Sequence, residues 1–155
     1  MNRPFPVLAT LLGLAGLLPF IGCGLASLGL QGDRAMIALV AYGAVILAFL
    51  GGVHWGFALQ DPDRRGERPR LLLGVVPSLV GWVALLLAVA VRAEAGIALV
   101  LVGIIGTNLV EIRAYKAGLM PRNYLNLRYT LSGIVVLTLV VVLFMRVIGA
   151  HIILW

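Results

Sequence analysis

Residues 35–59 read AMIALVAYGAVILAFLGGVHWGFAL and contain no aspartate, glutamate, lysine or arginine. A helix rises about 1.5 Å per residue, so this stretch is longer than the roughly 20 apolar residues that cross a bilayer. It ends just before Asp61-Pro62, where the chain becomes strongly charged. The stretch therefore predicts one membrane-spanning helix, and the sequence on either side of it repeats the pattern.

Four further apolar runs flank this stretch, and short polar turns separate them. Together they predict five spans, over residues 6–30, 35–59, 71–91, 96–115 and 124–148. The turns leave no room for a soluble domain, so we expect a single domain over residues 1–155 in which consecutive helices pack as antiparallel neighbours. The predicted fold class is all-α, a polytopic membrane protein built as a bundle of five transmembrane helices.

The composition excludes most other classes of protein. Hydrophobic residues make up 62% of the 155 residues and charged residues only 12%, whereas soluble domains are about half apolar and about a quarter charged. The net charge of +6 does not form one patch, because seven of the 18 charged residues lie in 61–70 and five in 111–128. We therefore expect no binding of nucleic acid, and the charges mark the turns of the bundle.

The distribution of lysine and arginine predicts the orientation of the chain. With five spans, the N-terminus, the second turn and the fourth turn share one side, which holds nine of these residues against three on the other. Basic residues concentrate on the cytoplasmic side of membrane proteins. We therefore expect the N-terminus inside and the C-terminus outside.

Small residues recur at four-residue spacing along the second span. Gly52 and Gly56 form a Gly-x-x-x-Gly motif, and Ala44 and Ala48 extend it toward the N-terminus. Small residues let helix backbones approach closely in a membrane. This stripe predicts helix packing, either within the chain or against another subunit.

His54 is an ionisable residue within the second span, roughly 9 Å from its charged end at 1.5 Å per residue. Such a group is costly in lipid and faces protein or water. It is either a neutral histidine bonded to a neighbouring helix or a group that handles a ligand or a proton. Metal binding is not expected, because His151 lies at the far side and Cys23 is the single cysteine.

Polar and aromatic residues of the later spans fall at the same depth as His54. Helical spacing places Asn108, Glu111 and Tyr115 on one face of the fourth span. It places Tyr124, Arg128 and Ser132 on one face of the fifth. If these two spans form a hairpin, Glu111 pairs with Arg128; otherwise both reach interfacial water. The predicted ligand-binding layer comprises His54, Trp55, Ser78, Trp82, Asn108, Glu111, Tyr124 and Arg128. It is either a headgroup-depth pocket for a quinone or an anionic lipid, or a polar clasp that holds the bundle together.

Three segments resemble a known family. They are residues 41–47 running into Gly51–Gly56, the pair Pro77-Ser78 with Trp82, and Pro121 followed by residues 124–128. In these segments the chain is similar to the transmembrane-protein-69-like proteins, which are defined by a domain of unknown function. The resemblance implies a multi-pass protein of the bacterial inner (plasma) membrane, or of the mitochondrial inner membrane in eukaryotic relatives, with no established activity.

These observations leave three functions open. The first is a non-enzymatic accessory or assembly subunit of a larger inner-membrane complex, such as a respiratory one. The second is a quinone- or lipid-binding protein that uses the polar layer, and the third is a small transporter. No spacing typical of a catalytic triad, a phosphate loop or a metal cluster is present, so we expect no catalytic residues, no metal and no cofactor. The expected partners are membrane lipids, a quinone and other membrane subunits.

Overall fold

The computed structural model describes residues 7–29, 32–60, 67–116, 118 and 122–152, and these residues are helical almost throughout. The helices are α1 (Val7–Ala15), α2 (Leu18–Ala26), α3 (Gly32–Gln60), α4 (Glu67–Ala90), α5 (Ala93–Lys116) and α6 (Arg122–Ile152). Within this part of the chain five helical segments are long and apolar enough to span a membrane. The predicted all-α bundle of five spans is confirmed.

The first span is broken into α1 and α2 near its middle. Pro19 lies in the first turn of α2, where its missing N–H group costs nothing because that donor has no partner within a helix. The other interior proline, Pro77, stays within an unbroken α4. The two prolines therefore act differently, one at a break and one inside a continuous helix.

The core lies around α3, which packs against α2, α4 and α5, while α6 packs against α5 and the first span. Large apolar side chains of α3 and α5 are fully buried there, among them Leu39, Leu47, Ile97 and Ile104. At the N-terminal end of α3, Arg146 of α6 forms an ion pair with Asp33. Thus α3 forms the axis of the bundle, and the Arg146–Asp33 pair joins α6 to the N-terminal end of α3.

The contact between α3 and α4 depends on glycine. A Cβ on Gly51 would overlap the carbonyl oxygen of Gly74, and a Cβ on Gly81 would lie 2.8 Å from the Cα of Ala44. Gly51 follows Ala44 by seven residues, and Gly81 follows Gly74 by seven. Residues seven apart return to nearly the same face of a helix, since there are about 3.6 residues per turn. The two backbones therefore meet along a straight seam of small residues.

The predicted stripe of small residues is only partly in this seam. Ala44 lies in it, but Ala48 is exposed, and a Cβ on Gly52 or Gly56 would meet no described atom within 4 Å. A four-residue spacing turns by about 40° at each step relative to the helix axis. The stripe consequently rotates out of the seam, so Gly52 and Gly56 make no close contact among the described residues, and packing of these two glycines stays a prediction.

Candidate functional site

An ion pair between α5 and α6 forms the centre of the site. Arg128 donates from Nε to Glu111 Oε1 at 3.1 Å and from Nη1 to Ser132 Oγ at 2.8 Å. Glu111 is fully buried, and Arg128 is only 7% exposed. Glu111 lies five residues before the end of α5 and Arg128 six residues after the start of α6, so both lie beside the same turn of the bundle. Of the two predicted alternatives, the pair forms, and neither residue is left in interfacial water.

His54 of α3 approaches this pair from the other side. Its Nε2 lies 3.9 Å from Glu111 Oε1, and the side chain is almost fully buried. This distance is too long for a hydrogen bond. Among the described residues, Glu111 therefore lies between His54 and Arg128. Its Oε1 atom faces both the imidazole of His54 and the guanidinium group of Arg128.

Tyr124 and Asn108 complete the polar cluster. Tyr124 packs edge to face against Phe57 of α3, with ring centroids 5.8 Å apart, and its hydroxyl lies beside Glu111 and Arg128. Four buried polar atoms of the described residues make no hydrogen bond of good geometry. They are Asn108 Oδ1, Glu111 Oε2, Tyr124 Oη and Arg128 Nη2. Buried polar groups are nearly always paired, so this cluster keeps unused hydrogen-bonding capacity.

The remaining predicted site residues lie apart from the cluster. Trp55 is 44% exposed and donates its indole N–H to the carbonyl of Leu71 at 2.9 Å. Trp82 is 60% exposed, and half-buried Ser78 makes no described hydrogen bond to the pair. Trp55 therefore ties α3 to the start of α4, and Trp82 faces outward from the bundle.

Ser132 belongs to the site although it was not among the predicted ligand-binding residues. It lies four residues after Arg128, one helical turn away, and is 3% exposed. That spacing was the signal that it could hold the guanidinium group. No set of three or more metal-ligating side chains occurs among the described residues.

A cavity of about 470 Å³ adjoins the cluster. Its walls come from the first span, α3, α5 and α6, and they are apolar except at one end, where Tyr124, Arg128 and Ser132 line it. The apolar walls include Leu12, Leu17, Phe20, Ile46, Val53, Ile104, Leu127 and Leu131. The cavity thus has the shape of an amphiphile site, with a long apolar part and a polar end.

A second cavity, of about 280 Å³, lies between α3, α4 and α5. His54 and Thr107 line it together with apolar side chains, and Thr107 already donates to the carbonyl of Gly103 at 2.8 Å. Pro77 also lines this cavity and leaves the carbonyl of Leu73 without its usual helical donor. The row from His54 to Arg128 therefore separates two cavities.

The spans and the buried polar cluster define a multi-pass helical membrane protein. The chain belongs to the family described as "Protein of unknown function (DUF3429)", whose model matches residues 5–144. It is similar to Transmembrane protein 69 of Xenopus tropicalis, with 45% identity over 86 residues, which are 52% of this chain and 33% of the relative.

The mouse relative of the same name, from Mus musculus, is 36% identical over 91 residues, covering 56% of this chain and 36% of the relative. The matched region is therefore about a third of the length of these curated relatives. No solved structure matches the chain. The family resemblance found from the three sequence segments is confirmed.

Proposed function

We propose that the protein binds a membrane amphiphile, a lipid or a quinone, in the larger cavity. The observation that carries this proposal is the position of Arg128 and Tyr124 at one end of an otherwise apolar space of about 470 Å³. The ligand would place its polar head at that end and its hydrocarbon part along α3 and α6. Binding, with no bond made or broken, is the whole of the proposed activity.

Two features of the site favour binding over a purely structural clasp. A clasp is most stable when every buried polar group is paired, yet Arg128 Nη2, on a residue that lines the cavity, makes no described hydrogen bond. Ligand sites combine mostly apolar walls with a few converging polar groups. The cluster matches this description better than it matches a closed network.

Filling the cavity is expected to expel the amphiphile. Leu131 and Leu143 are both partly buried leucines of α6 that pack against the core, but only Leu131 lines the cavity. Leu131→Trp should lower the retained ligand about tenfold or more, because the indole ring occupies the volume that the hydrocarbon part needs. Native mass spectrometry of protein released from its own membrane measures the bound mass.

Leu143→Trp is the matched control and should keep the wild-type amount of ligand. Equal retention by both variants would contradict the assignment of the cavity. If the wild-type protein itself carried no amphiphile, the proposed function would fail.

We also propose a second function, that of an accessory or assembly subunit of a larger membrane complex. The outward face of α3 that carries Ala48, Gly52 and Gly56 supports it, since no described residue covers the two glycines. Small residues on an open face permit close contact with another helix. The same native spectra test this function, because a partner subunit adds a mass far larger than that of a lipid or a quinone.

We propose a bacterial inner (plasma) membrane location with the N-terminus inside, supported by the nine-to-three excess of basic residues. Gln60 ends α3 and Arg92 follows α4, so these two exposed residues lie at opposite ends of α4. In a Cys23→Ser background, a membrane-impermeant maleimide added to whole cells should label Arg92→Cys and leave Gln60→Cys unlabelled until the cells are lysed. The reverse pattern would overturn this orientation.

A further inference from the structure

We infer that the polar head held at the cavity end is an uncharged carbonyl-type acceptor and not a phosphate. This inference rests on the proposed function and names the class of ligand. It differs from the expectation of an anionic lipid headgroup at the polar layer.

The guanidinium group of Arg128 is already oriented by two of its three nitrogens. Nε donates to Glu111 and Nη1 donates to Ser132, so the plane of the group is set from both sides. Nη2 is buried and makes no described hydrogen bond. An arginine carries five N–H donors in a rigid fork, and the unused donors lie on a residue that lines the cavity. The site therefore offers directed hydrogen bonds to an acceptor atom.

The Tyr124 hydroxyl adds a second donor at the same end of the cavity. It is buried, lines the cavity and lies beside Arg128. Both atoms are fully buried, so the two side chains must move apart to admit an oxygen that accepts from both. That oxygen would satisfy two of the four buried polar atoms that make no described hydrogen bond. A carbonyl oxygen, with two lone pairs, has this capacity.

The charge balance of the site decides against an anion. The positive charge of Arg128 is matched by the carboxylate of Glu111 at 3.1 Å, with Glu111 fully buried. A phosphate would add at least one uncompensated negative charge next to a carboxylate and inside apolar walls. Moving an unpaired charge out of water costs several kcal/mol, whereas a carbonyl oxygen loses only its hydrogen bonds to water and regains them here.

Two kinds of membrane molecule carry such a carbonyl on an apolar chain. One is a quinone, in which the carbonyl groups belong to the ring. The other is an uncharged glyceride, in which they belong to the ester groups. Both satisfy the same donors. The experiment includes one probe of each kind and an anionic phospholipid with the same acyl chains as the glyceride.

The test is competition among decylubiquinone, dioleoylglycerol and dioleoylphosphatidylglycerol for the delipidated protein in a neutral detergent, read by native mass spectrometry. The assay runs near pH 8, where an ordinary imidazole is uncharged. One of the two uncharged probes should be retained over the phospholipid by about tenfold or more, and the preferred one identifies the source of the carbonyl.

Glu111→Gln gives the more specific result. The amide keeps the shape of the carboxylate but leaves the charge of Arg128 uncompensated, so the preference should move toward phosphatidylglycerol by about tenfold or more. Glu94→Gln is the matched control, because it makes the same change of charge in the first turn of α5, at the end of that helix away from the site. It should keep the wild-type order of preference.

The outcomes separate the inference from the proposed function. Stronger retention of phosphatidylglycerol by the wild-type protein would overturn the inference and leave amphiphile binding in place. An unchanged preference in Glu111→Gln would also overturn it, since the charge balance would then not select the head. Retention of none of the three probes would overturn both.

Discussion

Glu111→Ala is expected to lower the free energy of unfolding by about 3–5 kcal/mol, the loss that follows when one partner of a buried ion pair is removed. Glu111 is fully buried, and its Oε1 accepts from Arg128 Nε at 3.1 Å. Without it the guanidinium charge stays inside the bundle with only the Ser132 hydroxyl as a described partner. Unfolding titration in mixed detergent micelles measures the difference.

The control for this prediction removes both charges. Replacing Glu111 and Arg128 together by leucine should recover most of the lost stability, because a buried pair exchanged for apolar side chains of similar size is often neutral or stabilising. If the single variant were as stable as the wild type, the pair would not be buried as described. A double variant no more stable than Glu111→Ala would show that the loss has another cause.

Gly51→Val is expected to destabilise the bundle by about 3 kcal/mol or more, at or beyond the upper end of typical overpacking costs. A Cβ at position 51 would overlap the carbonyl oxygen of Gly74. Backbone atoms cannot turn aside as a side chain can, so α3 and α4 would have to separate along their whole contact. The measurement is the yield of folded protein together with its unfolding free energy.

The next residue supplies a matched control. A Cβ on Gly52 would have no described atom within 4 Å, so Gly52→Val should change the unfolding free energy by less than about 1 kcal/mol, as surface substitutions usually do. Equal damage from both variants would contradict the seam between Gly51 and Gly74. Equal tolerance of both would contradict it as well.

The spans could be predicted from the sequence because hydropathy over about 20 residues responds only to the bilayer. The exact ends of the spans could be predicted less well. The second span was expected over 35–59, whereas α3 begins at Gly32 and takes Asp33 into its first turn. An acidic residue is favourable in the first turn of a helix, so the helix begins before the point where the apolar composition starts. The break between α1 and α2 lies at Pro19, and a proline within an apolar run can be recognised from the sequence.

The candidate site could be predicted where helical spacing placed two residues on facing helices and where leaving them in lipid would cost free energy. Glu111 and Arg128 are expensive in lipid, so their burial against each other follows once α5 and α6 are neighbours. Tryptophan carries no such penalty and can face lipid or protein. Trp82 lies at the depth of the cluster, yet its side chain faces away from the bundle. The sequence alone could not show on which side of the helix the indole ring would lie.

The coupling free energy between Glu111 and Arg128 tests the central claim most directly, because the whole site is arranged around this pair. A double-mutant cycle with Glu111→Gln and Arg128→Gln, measured by unfolding in micelles, isolates their interaction from the cost of each change. We expect a coupling of more than about 1.5 kcal/mol, as for close charge pairs shielded from water. Effects that add to within about 0.5 kcal/mol would show that the two residues act independently, and the buried cluster at the end of the cavity would not exist.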